Sequence, residues 1–177
     1  MAEKVDYQLT DAEGALLAAV TADAAAAAGA LGGSIGGFVG GDLPGAFGGA
    51  RGGASGGRLG SKATRAKTAQ SRVEVDAGTD EVRARVIAAI EASGSRIPDP
   101  NEADDGSIWG IVGSGAMNMS PALVRVSIEE LTRSRTAVEV RATGKEALIP
   151  QRIGAKAVDR IVAAVREPTL GSGVPPE

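Results

Sequence analysis

The chain has 177 residues, no Cys, no His and a net charge of -3. Those absences remove thiol nucleophiles, the usual zinc and iron ligand sets and imidazole acid-base catalysis. No set of nucleophile, base and orienting group stands out, so no catalytic residue, metal or cofactor is assigned and the chain reads as a non-enzyme. The acidic balance argues against a globally basic nucleic-acid binder.

The first residues, MAEKVDYQLTDAEG, lack a basic start followed by an apolar run, which predicts a cytoplasmic chain. Thr10 and Glu13 fit the S/T-x-x-E capping box, in which hydroxyl and carboxylate each satisfy an orphan amide. A helix should start near Asp11 and continue through Leu16, Leu17, Val20 and the alanine run, so that residues 1–31 form an Ala-rich helical region.

From 32 to 60 the sequence reads GGSI GGFV GGDL PGAF GGAR GGAS GGRL G, and six of its seven tetrads begin with a glycine pair. Gly29, Gly33, Gly37 and Gly41 form one row at four-residue spacing, and Gly32, Gly36 and Gly40 form an adjacent one. On a helix such rows make a smooth groove that another backbone can approach, with Ile35, Phe38 and Val39 supplying apolar bulk. This stretch resembles the glycine-zipper segments of small membrane-associated bacterial proteins. The resemblance implies self-association into a homo-oligomer, or docking on a membrane.

Energetics pull the other way. Seven glycines between Gly29 and Gly41 oppose an isolated helix in water by about 7 kcal/mol, which predicts coil unless a partner or a bilayer intervenes. The uncharged run 24–41 would span about 27 Å as a helix, close to the roughly 30 Å of a hydrocarbon core, but its few large apolar residues make a lone crossing marginal. Two other readings stay open: a flexible tether with a reach of roughly 30 Å, and a self-assembling glycine sheet or bundle.

Arg51, Arg58, Lys62, Arg65 and Lys67 follow with no acidic residue between Asp42 and Glu74. They make 32–70 a glycine-rich and basic connector suited to an anionic lipid surface or simply to solvent. A single RGG and the absence of aromatics between Gly48 and Trp109 argue against nucleic acid.

From residue 71 to 167 the texture becomes globular. Val73 and Val75 mark a short strand; Thr79 can cap a helix over 80–93 that Gly94 stops. Strands follow over 107–113, 122–130 and 136–142, the last two joined by a hairpin connection over 130–135. A final helix after Pro150 buries Ile153, Ala157, Val158, Ile161, Val162 and Val165, and 168–177 form a disordered tail. The predicted fold is α+β: an antiparallel four-stranded sheet with two helices on one face, in the order β-α-β-β-β-α, preceded by the Ala-rich helix and the Gly-rich segment. That layout is similar to helix-grip-type modules and to domains attached to lipoproteins. The run VEVRATGKEALIPQ resembles a stretch of uncharacterised actinobacterial proteins.

Few residues here suggest chemistry. Trp109, with Met117 and Met119 nearby, could stack on a small-molecule or protein ligand, though such residues more often pack a core. Gly113-Ser114-Gly115 lacks the third glycine and following helix of a dinucleotide loop. The acidic run from Asp99 to Asp105 breaks the EF-hand pattern at Ala103 and Asp104 and reads as a solvated loop. Lys145 and Glu146 read as a loop ion pair beside the last helix. The function expected is therefore a zipper-bearing module that joins itself or a membrane surface; the alternative is a tethered binding module.

Overall fold

The computed structural model describes residues 2–39, 65–102, 105–114, 120–146 and 151–167. Its elements are β1 (Glu3–Val5), α1 (Asp11–Val39), β2 (Arg65–Val75), α2 (Thr79–Ser93), β3 (Gly94–Ile97), β4 (Ile108–Ser114), β5 (Ser120–Thr132), β6 (Arg135–Glu146) and α3 (Ile153–Arg166). The strands form one antiparallel six-stranded sheet in the order β1-β2-β6-β5-β4-β3.

Alternation along the strands gives the sheet two different faces. On one, Val124 and Val126 of β5 and Val138 and Val140 of β6 are fully buried against Val82, Val86 and Ile90 of α2 and Val158, Ile161 and Val165 of α3. Each such side chain contributes about 1.5–3 kcal/mol through burial, so this layer carries most of the stability. The helices sit close because β4 and β6 carry glycine beneath them. A Cβ at Gly110 would lie 2.5 Å from Ile90 Cγ2, and one at Gly144 would lie 2.5 Å from Ile153 Cγ2.

The other face carries α1. Leu17 is fully buried there with Trp109 of β4 and Leu123 of β5, and Leu9, Leu16, Val20, Ile97 and Ile111 close around them. Past this anchor α1 continues through Gly29, Gly32, Gly33, Gly36 and Gly37 to Val39. The glycine stretch, expected to be coil when alone in water, is here helical as far as Val39 as the continuation of an anchored helix. The preceding turns supply the nucleus, and the per-residue cost of the glycines remains to be offset.

The expected α+β class fits, but the predicted sheet and helix count do not: among the described residues the sheet has six strands rather than four, and three helices pack on it rather than two on one face. The four expected strands are β2, β4, β5 and β6. The additions are the two edges, β1 with three residues and β3 with four, each stabilised by pairing with a longer neighbour. Gly94 ends α2 but does not open a loop. Its φ of 178° is extended, and the chain passes directly into β3. Thr79 is the first residue of α2 rather than its cap: Gly78 occupies that position, and the Thr79 hydroxyl is buried without a hydrogen-bond partner among the described residues.

Candidate functional site

The start of α1 is fixed on the sheet by a polar cluster built from the capping box. Thr10 N–H donates to Glu13 Oε2 at 2.9 Å, and Glu13 N–H donates back to Thr10 Oγ1 at 3.2 Å. The Glu13 carboxylate is 1% exposed and also accepts from the Tyr7 hydroxyl at 3.0 Å and from Asn101 Nδ2 at 3.4 Å. Thr10 Oγ1 donates to Asn101 Oδ1 at 2.6 Å, so the loop before β4 grips the helix start twice. Burial first, and the neighbouring Glu13 second, raise the Tyr7 phenol above its ordinary value of 10.0.

Beside this cluster, Arg125 of β5 and Arg141 of β6 stand directly opposite each other in register. Like charges in that position repel, and each guanidinium is drawn to its own flank. Arg125 pairs with Asp105, donates from Nε to Ser107 Oγ at 3.2 Å and lies 5.4 Å from the Trp109 ring centroid. Arg141 donates from Nε to Gln70 Oε1 at 3.3 Å and from Nη2 to Glu139 Oε1 at 3.2 Å, with its Cζ 4.4 Å over the Tyr7 ring. Hydrogen bonds from the Ser107 side chain and backbone, and then the Arg125 charge, hold Asp105 below its ordinary 3.8. Two small cavities share this arginine pair. One, of about 80 Å³, is lined by Arg125, Ser127, Glu139 and Arg141; the other, of about 10 Å³, lies under the start of α1 against Tyr7, Glu13, Trp109 and Thr143.

A larger cavity of about 200 Å³ opens at the start of α3, lined by Lys4, Lys67, Glu146, Arg152, Gly154 and small neighbours. Here Glu146, 6% exposed, caps the helix from a distance: its Oε1 accepts the Ile153 N–H at 3.0 Å while Oε2 pairs with Lys67 Nζ at 2.8 Å. The expected partner Lys145 is thereby replaced by Lys67, which reaches Glu146 from the adjoining strand β2. Arg152, with φ 53° and ψ 40°, turns the chain into α3.

The predicted site residues distribute as follows. Gly29, Gly32, Gly33, Ile35, Gly36, Gly37, Phe38 and Val39 belong to α1, whereas Gly40, Gly41, Arg51, Arg58 and Lys62 lie outside the described residues. Arg65 and Lys67 belong to β2, with Lys67 committed to Glu146. Trp109 is 4% exposed under Leu17, so its ring packs α1 onto the sheet; Met117 and Met119 lie outside the described residues. Among the described residues no group of acidic side chains is arranged to hold a metal, and no helix is long and apolar enough to cross a membrane.

Sequence reasoning passed over Arg125, Arg141, Tyr7 and Gln70. The alternation of β5 and β6 puts both arginines on the face away from the valines, but only the strand register places them opposite each other. Comparison with protein-family models and with curated proteins finds no match to this chain.

Proposed function

We propose that this chain is a non-enzymatic α+β module that joins a second copy of itself through the glycine rows of α1. The observation that supports this reading is the continuity of α1 from Asp11 to Val39. Gly29, Gly33 and Gly37, and beside them Gly32 and Gly36, therefore keep four-residue spacing on helical backbone, the arrangement that lets two helices approach closely. Leu17 and the Glu13 cluster fix the first turns on the sheet, so the glycine rows start from a rigid base. The polar sheet and its arginine pair remain on the same face, beside the helix.

Sedimentation velocity of the full chain tests the proposal. The expected result is a self-associating species that reverts to monomer when Gly33 and Gly37 are both replaced by Leu, with helix content by circular dichroism unchanged. A wild-type chain that stays monomeric as its concentration is raised would sink the reading. Pelleting of that monomer with anionic vesicles would transfer the role of α1 to membrane-surface docking.

A further inference from the structure

We propose that the chain also binds a small monocarboxylate between Arg125 and Arg141, on the sheet face beside the start of α1. Two features point there, and a third lies on the far side of the same arginine pair, close enough to report on it. The first is the direct cross-strand placement of two arginines, each held at its flank by one carboxylate and one aromatic ring, on the two sides of a shared cavity. Their described hydrogen bonds engage Nε and Nη2 at the flanks, while a guanidinium carries five N–H donors. Donors remain on each for a further acceptor, and the fork geometry of arginine suits a planar carboxylate.

The second feature is space. The cavity of about 80 Å³ is bounded by Arg125, Ser127, Glu139 and Arg141, and the smaller one lies on the other side of the same two arginines. The third is an unmade hydrogen bond. Trp109, which lines the smaller cavity, has a buried indole Nε1–H without a partner among the described residues. An indole N–H can only donate, so what it lacks is an acceptor.

The neighbouring carboxylates select among anions. Asp105 is engaged by Arg125, Glu139 by Arg141, and Glu13 by Tyr7, Thr10 and Asn101. Asp105 and Glu139 each balance one guanidinium, so the pair is close to neutral overall and a second negative charge on the ligand would meet no further cation, which favours a monoanion over a dianion. Glu139 and Ser127 can in addition accept a hydrogen bond from a ligand hydroxyl, so a small hydroxy acid matches the lining better than inorganic phosphate does.

Trp109 is the only tryptophan, so the full-length chain gives a single indole N–H resonance. That resonance is followed during titration with glycolate and, separately, with inorganic phosphate at fixed ionic strength. A saturable shift with glycolate, at least about tenfold tighter than with phosphate, is the expected result, together with a loss of about tenfold or more in Arg141→Lys. Gly33→Leu/Gly37→Leu, which disables the proposed association, should leave the titration unchanged. No saturable shift with glycolate overturns the proposal, as does tighter binding of phosphate or an unaltered curve in a folded Arg141→Lys. Where that variant does not fold, the wild-type pair of titrations decides.

Discussion

Glu13, itself buried, does two jobs with one carboxylate: it completes the capping box and receives the hydroxyl of the half-buried Tyr7. Removing it takes the charged acceptor from the Thr10 amide and the Tyr7 hydroxyl and leaves a void where the buried side chain stood. Glu13→Ala should therefore lower stability by about 1–3 kcal/mol, seen as a reduced urea midpoint at constant slope. Glu13→Gln, which can still serve the box, should recover part of the loss. Equal stability of all three chains would show that the cluster only decorates a helix held by Leu17. The same cluster sets a pH limit. Tyr7 binds its proton more tightly when folded than when unfolded, so its contribution is complete below the ordinary phenol value of 10.0 and disappears as pH rises above it. Tyr7→Phe should flatten that part of the pH-stability curve. Because Tyr7 is the only tyrosine, phenolate absorbance follows its titration directly.

At the scale of elements, the helix-sheet distance depends on missing side chains. Gly144 lies under Ile153 with no room for a Cβ, so Gly144→Val should destabilise by about 1–3 kcal/mol or more by pushing α3 away from β6. Gly14 is the opposite case: nothing lies within 4 Å of where its Cβ would be, and Gly14→Ala should stabilise α1 by about 0.5–1 kcal/mol. Thermal unfolding of the two variants, moving in opposite directions, checks both. The contrast also explains which elements were legible in the sequence. The start of α1, and the bodies of α2 and α3, depend on caps or apolar stripes contained within a few turns, and those patterns are local. β1 is three residues, Glu3–Val5, with no pattern at all until Thr68–Gln70 pair with it. β2 starts at Arg65, six residues before the apolar alternation suggests, because Arg65–Gln70 are drawn into the sheet by β6 rather than by their own hydrophobicity. The Arg125–Arg141 pair is non-local in the same way. Each arginine alone looks like a solvated side chain, and their meaning comes from register.

For the molecule as a whole, the two faces of the sheet have unequal weight. The α2-α3 side carries a continuous apolar core, whereas the cluster under α1 has three buried members, Leu17, Trp109 and Leu123, with the Glu13 hydrogen bonds at its border. Opening α1 therefore exposes far less apolar surface than separating α2 or α3 from the sheet, and it breaks no strand pairing. Cooperative units with fewer buried contacts open at lower free energy. Native-state hydrogen exchange should accordingly show α1 amides over 14–28 exchanging through a partial opening, while the central strands β5 and β6 exchange only on global unfolding. The same opening would uncover Trp109, so tryptophan quenching should track the α1 amides rather than the strands. If the α1 amides were instead protected as strongly as those of β6, the two layers would form one cooperative unit. Leu17→Ala, which should cost about 2–5 kcal/mol if α1 shares the global transition, would distinguish the cases. In a partial-opening molecule it lowers protection of α1 while leaving exchange in β5 and β6 nearly unchanged.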